Sequence, residues 1–278
     1  RRAPIWGKMI SSGMRMGMAG GEGMDREQRL SDLNAYLSEG IHTVNGWCIP
    51  QLWQTLWPLY REIGDGPVAE IGLFEGKFFI GLCKTFGTSP KNRAAAIDVF
   101  DMQQFNLDGA GVGKMDVVKR NLGLHGIAED AVEFVQADSL ALTHRDADRL
   151  VREIGQFHFF SVDGCHEVVH TVNDIEFAMS VTANHGIIAV DDYTNSSWPG
   201  VQEAVARMYI LGNYSFVPLA VTSNKLLLAS YSYHSKYLRL IEQYLETSHP
   251  DTPVKKVNRY GHQTLNVHPN FQKWSNLS

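Results

Sequence analysis

FHFFSVDGCHEVVHTVNDIEFAMSVTANHGIIAVDD, residues 157–192, decides how the whole chain is read. Its first part, FHFFSVDG, is a short and nearly continuous apolar run. EVVHTVNDIEFAMSVT then places apolar residues at helical spacing, and HGIIAVDD is apolar again until its last two residues. A strand with one face in water alternates apolar and polar residues, whereas these strands are apolar throughout. Strand, helix and strand of this kind predict a parallel sheet covered by helices on both faces. Each apolar run also stops on an acid, Asp163 after the first and Asp191 with Asp192 after the second. Two adjacent carboxylates at the mouth of a buried strand repel each other, so something has to hold them.

The same alternation extends in both directions. PVAEIGLFEG (67–76), AAAIDVF (94–100) and AVEFVQADS (131–139) read as strands. KFFIGLCKTFG (77–87), with Gly87 as its stop, KMDVVKRNLGLHG (114–126) and DADRLVREIG (146–155) read as the intervening helices. WPGVQEAVARMYILG (198–212) is a further helix, and YSFVPLAVTSNKLLLASY (214–231) gives two apolar stretches that predict an antiparallel hairpin at a sheet edge. The fold class expected is α/β, a doubly wound and mostly parallel sheet with one antiparallel edge hairpin and a helical N-terminal extension. The chain divides into four regions: a Gly-, Ser- and Met-rich leader or arm over 1–24, a helical extension over 25–66, the sheet domain over 67–232, and a helix with a polar tail of little pattern over 233–278. In the extension Trp53, Leu56, Trp57 and Tyr60 fall at helical spacing and are expected in the core.

Composition excludes several function classes. A net charge of -5 gives no basic surface for nucleic acid or an anionic membrane. The 3 cysteines form no CxxC pair and imply neither a disulfide framework nor a zinc knuckle. Apolar runs stay short of the roughly 18–20 residues of a membrane span. A soluble, cytoplasmic protein is expected. The Met- and aromatic-rich first 60 residues exceed what one sheet needs for cover, and predict a homo-oligomer, a dimer in the simplest case.

In a doubly wound sheet ligands sit beyond the carboxyl ends of the strands. The first strand is followed by Glu70, Gly72 and Gly76, where glycine lets the backbone turn tightly beside a ligand. Phe74 stands in place of the middle glycine of a dinucleotide fingerprint, which argues against a nicotinamide cofactor. Asp98 ends the second strand and is able to accept both hydroxyls of a ribose. Asp138 and Ser139 follow the third, Asp163 and His166 the fourth, and Asp191 and Asp192 the fifth. Any one of these acids is equally a helix cap; the ordered set is what points to a site.

VAEIGLFEG, AAIDVFD, FVQADS, and FFSVDGCHEVVHTVNDI with GIIAVDDYTN resemble the successive motifs of class I S-adenosylmethionine-dependent methyltransferases. The resemblance is greatest to the small-molecule O-methyltransferase branch that includes the macrolide-sugar and catechol types, and covers roughly residues 50–230. It implies that Glu70, Gly72, Phe74 and Gly76 line the methionine end of S-adenosylmethionine, that Asp98 holds the ribose, and that Asp138, Ser139 and Asp163 complete the cofactor site. It also implies a metal site of Asp163, Asp191 and Asp192. Carboxylates are hard oxygen ligands, suited to magnesium, or to manganese or calcium, rather than zinc. The catechol type carries a lysine base three residues after its first metal Asp, and here that offset holds His166; His170, one turn on, is a weaker candidate base. The reaction implied is methyl transfer to a hydroxyl of a small-molecule or carbohydrate acceptor. Transfer to nitrogen, and a catalytically silent sugar- or nucleotide-binding domain, are the alternatives.

Overall fold

The protein is described by a computed structural model over residues 26–270 and 274–278. The leader expected over 1–24 lies outside the described residues. Five strands, β1 (Val68–Ile71), β2 (Ala94–Asp98), β3 (Val132–Gln136), β4 (Phe157–Val162) and β5 (Thr182–Val190), pair in parallel. β6 (Phe216–Thr222) and β7 (Lys225–Ser230) form the antiparallel hairpin, and β7 pairs with β5. β8 (Val254–Arg259) and β9 (His262–Val267) form a second hairpin whose β9 runs parallel to β6. The resulting order among the described residues is β3-β2-β1-β4-β5-β7-β6-β9-β8. The mostly parallel α/β reading holds. The β6–β7 hairpin ends the parallel part of the sheet, but the outermost edge belongs to β8, built from the tail in which the sequence displayed little pattern.

Helices cover both faces because side chains alternate along each strand. Ile187 and Ala189 of β5, with Leu227 and Ala229 of β7, belong to one buried cluster. It contains residues of α1 (Arg26–Ser38), α2 (Trp53–Ile63), α3 (Lys77–Phe86), α4 (Met115–Leu124) and α8 (Tyr231–Ser248). The intervening Ile188, Val190, Leu226 and Leu228 enter a second cluster with α5 (His144–Glu153), α6 (Val168–Val181) and α7 (Pro199–Leu211). Trp53, Leu56, Trp57 and Tyr60 are buried in the first cluster, each contributing on the order of 1.5–3 kcal/mol. They cover this chain's own sheet and are not left free for a partner. Among the described residues no helix is long and apolar enough to cross a membrane.

β1 and β4 are adjacent although β1 continues to β2 and β3 on its other side. That reversal opens a crevice at the carboxyl ends of the parallel strands, where this topology binds ligands.

Candidate active site

A cavity of about 510 Å³ occupies the crevice. Strand parity brings its acids together. Val68 of β1, Ala96 of β2, Phe159 of β4 and Ala189 of β5 all face the first cluster. Two residues further along each strand direction come Glu70, Asp98, Ser161 and Asp191, so these polar groups gather on that same side of the sheet. Glu70, Asp98, Asp138, Ser139, Asp163, Asp191 and Asp192 all line the cavity, with Gly72 and Phe74. Gly76 does not appear in the wall. Its φ of 85° makes the left-handed entry into α3, which explains the glycine without a ligand. Gly72 also answers first to the fold: a Cβ there would meet the Asp163 carbonyl oxygen at 1.9 Å.

Glu70 is buried with Oε1 unpartnered. Burial pushes it up to about 8, against the pull of Lys225 and Ser161. An unpartnered buried carboxyl of this kind suits a cationic ligand group. Asp98 accepts hydrogen bonds from the Leu73 N–H at 2.6 Å and the Phe100 N–H at 2.6 Å. Its burial raises the pKa, and these backbone donors oppose the rise. Asp98 therefore ties the loop after β1 to the end of β2 before any ligand arrives. Asn has one acceptor oxygen and would turn an NH₂ toward one of these donors. Asp98→Asn and Asp98→Ala are both expected to weaken S-adenosylhomocysteine binding by about 1–3 kcal/mol. Calorimetry returning the wild-type Kd for either would remove Asp98 from the cofactor site.

Asp138 accepts from the Leu140 N–H at 3.0 Å and starts a short turn, while the Ser139 hydroxyl lies against Asp174. Asp174 on α6 is buried, and its Oδ2 has no partner. Burial raises its carboxyl to about 7. An acid raised in this way stabilises the fold below its unfolded pKa, near 4, and loses that stabilisation as pH climbs through about 7. Asp174 is expected to cost the protein on the order of 3 kcal/mol between pH 5 and 8. Asp174→Asn should flatten the dependence of Tm on pH over that range, and an unchanged slope would refute the assignment.

His166 is clamped on three sides. Its Nδ1 lies 2.6 Å from Asp108 Oδ2, and its backbone N–H donates to the same oxygen at 3.0 Å. Its Nε2 lies 2.9 Å from Asp192 Oδ2. The indole of Trp198 stacks on the imidazole at 4.2 Å and 12°. Burial opposes a charge on the ring, but the hydrogen bonds to Asp192 and Asp108 prevail and raise the His166 pKa. Asp108 sits in the loop between β2 and α4, which carries Gly109 and Gly111 at φ of 69° and 60°. The His166 contact pins this loop across the cavity. His170 also lines the cavity, buried, with Nδ1 unpartnered.

The adjacent acids are held by the β6–β7 turn. Antiparallel register pairs Val190 with Leu226. One step outward, Asp191 meets Lys225. Lys225 Nζ lies 2.5 Å from Asp191 Oδ2 and 3.5 Å from Asp163 Oδ2. The lysine is 2% exposed. Burial disfavours its charge, but Asp191, Asp163 and Glu70 more than offset that and hold it protonated. Asp192 leaves strand geometry with φ of 53°. Its Oδ1 accepts from Asn195 Nδ2 at 2.9 Å and Asn224 Nδ2 at 2.8 Å. Burial would raise Asp192, yet His166 and Asn195 lower it. Asp163 is raised by burial and by the neighbouring Asp191, against Lys225.

Of the three expected metal ligands, the structure converges two. Among the described residues Asp163, His166 and Asp192 offer donor atoms all within 4.8 Å of one another. Asp191 is not in that group, and its carboxylate is engaged by Lys225. Two hard carboxylate oxygens beside an imidazole fit a divalent cation. Asp108, Trp198, Asn224 and Lys225 were not singled out from the sequence. Lys225 carried a readable signal, a lysine opening the otherwise apolar run KLLLA next to a strand end with two acids.

Residues 69–193 match the family model described as "Methyltransferase domain". The structure is similar to that of the O-methyltransferase NovP, at 11% identity and TM-score 0.54, covering 72% of this chain and 97% of that one. It is also similar to cofactor-bound Rv0187 from MTB, at 17% identity and TM-score 0.50, covering 72% of this chain and 88% of the other. No curated protein matches the chain. The match places a methyltransferase domain over residues 69–193, and the fold around it is similar to that of the O-methyltransferase NovP.

Proposed function

We propose that the protein transfers the methyl group of S-adenosylmethionine to a hydroxyl of an uncharged small molecule or sugar, with a divalent cation held by Asp163 and Asp192. The observation that carries this reading is His166, fixed by Asp108 and Trp198 at the cavity wall beside Asp163 and Asp192. The cavity is rich in carboxylates, with Lys77 as a cation in its wall. Such a wall favours the sulfonium and ammonium of the cofactor and disfavours an anionic acceptor. At the mouth Trp47 is 81% exposed and stacks on Phe74 at 5.6 Å and 24°, a flat apolar face suited to a ring-bearing acceptor.

In this reading a divalent cation held by Asp163 and Asp192 would supply positive charge beside the acceptor oxygen, and would compete with the His166 ring for the Asp192 carboxylate. His166, with Nδ1 held by Asp108, presents Nε2 to the acceptor hydroxyl and takes its proton. The oxygen forms a bond to the methyl carbon as the carbon–sulfur bond breaks, and the sulfur leaves as neutral S-adenosylhomocysteine. Most of the rate gain is positioning, since the reactants are a held hydroxyl and a held sulfonium.

The test is a homocysteine-release assay over a panel of neutral hydroxyl compounds, amines and phosphorylated sugars, before and after EDTA treatment, with the product identified by NMR. An O-methyl product, with activity lost in EDTA and restored by magnesium, supports the reading. An N-methyl product would replace the hydroxyl acceptor, full activity in EDTA would remove the cation, and cofactor binding without turnover on any acceptor would favour a silent binding domain.

A further inference from the structure

The two neighbouring acids after β5 do not meet the same surroundings. Asn224 holds Asp192 at 2.8 Å, and Lys225 holds Asp191 at 2.5 Å. The β6–β7 turn thus gives each carboxylate its own partner, one neutral and one charged. Lys225 is the deeper of the two. Its Nζ stands 4.4 Å from the centroid of the Phe78 ring and has no well-aligned hydrogen bond, so its contacts with Asp191 and Asp163 are those of a counter-charge. A divalent cation arriving at Asp163 and Asp192 meets an ammonium 3.5 Å from Asp163 Oδ2.

We propose that Lys225 is a resident cation of this site, which neutralises Asp191 and part of Asp163 and so restricts the site to a loosely held divalent cation bound through Asp163 and Asp192. The proposal rests on the cation reading above and adds to it a residue that sets the strength of binding. Affinity for hard divalent cations rises with the number of anionic ligands. Three carboxylates without a lysine would form a three-anion site. Three carboxylates with Lys225 leave two net negative charges, and Asp191 is turned from a ligand into half of an internal ion pair. The same arrangement keeps the pair of acids tolerable when no divalent ion is bound, since a permanent charge stands between Asp191 and Asp163.

The experiment is Mn²⁺ binding to the full chain, by calorimetry and by the free-ion EPR signal, for wild type, Lys225→Met and Lys225→Arg. Circular dichroism and S-adenosylhomocysteine binding serve as checks of folding. Lys225→Met is expected to bind Mn²⁺ at least about tenfold more tightly, and Lys225→Arg to bind as wild type does. Equal or weaker binding by folded Lys225→Met would overturn the proposal, as would a gain shared by Lys225→Arg. Should Lys225→Met not fold, the double variant Lys225→Met with Asp191→Asn carries the test, because it removes the ion pair and keeps the net charge. Wild-type Mn²⁺ affinity there supports the proposal, and a marked loss overturns it by making Asp191 a ligand. Absence of binding to wild type and Lys225→Met alike would remove the cation reading and this inference with it. Binding to both with equal affinity would remove the inference alone.

Discussion

His166→Ala is expected to slow methyl transfer by about 10²–10⁴-fold while leaving S-adenosylhomocysteine affinity near that of wild type. The ring lies between Asp108 at 2.6 Å and Asp192 at 2.9 Å, with Trp198 across its face. A histidine restrained on three sides has one position and one orientation, which a base needs and a surface histidine lacks. Asp108→Asn provides the more discriminating measurement. An amide can still occupy the position, but it no longer specifies which ring nitrogen carries the proton. A loss of about 10–100-fold in kcat with little change in KM is expected if Asp108 acts through His166. Asp108→Glu should recover part of that loss. If Asp108→Asn instead raised KM for the cofactor and left kcat alone, the loop it anchors would be its role, and the pairing with His166 would be incidental.

The parts of this protein that were legible in its sequence are those set by local physics. Parallel strands buried on both faces must be apolar throughout, so FHFFSV and GIIAV announce themselves. Ligands in this topology lie beyond strand ends, so Asp98, Asp163, Asp191 and Asp192 could be found at the positions where each apolar run stops. Asp108 was hidden because its partner lies 58 residues away and the loop between β2 and α4 has no period. Asn224 was hidden in the same way, 32 residues from Asp192, by a contact that depends on the register of β5 against β7. The β8–β9 hairpin was missed for a different reason. β8 is exposed or half-buried at each position, so burial imposes no apolar pattern on it. Its turn uses Tyr260 and Gly261, at φ of 51° and 85°, where Asn-Gly would have been recognised.

Asp191→Asn is expected to destabilise the protein by about 3–5 kcal/mol, the usual cost of removing one partner from a buried ion pair. The sequence alone argues for the opposite sign. Two adjacent carboxylates repel, and neutralising either should then leave the metal-free protein as stable or more so. Lys225 reverses the expectation for Asp191: without that carboxylate the buried ammonium loses its 2.5 Å partner and keeps Asp163, at 3.5 Å, with Glu70 beyond it. Asp192→Asn should behave differently. Its φ of 53° lies in the left-handed region, which Asn tolerates at least as well as Asp, and a neutral oxygen can still accept from Asn195 and Asn224. A change within about 1 kcal/mol is expected in urea unfolding at neutral pH. Activity should order the two variants differently from stability, with Asp192→Asn lowering turnover sharply although the fold is kept, because Asp192 faces His166 at 2.9 Å. Equal destabilisation by the two variants would mean that Lys225 does not distinguish the neighbours, and that Asp191 and Asp192 share one environment.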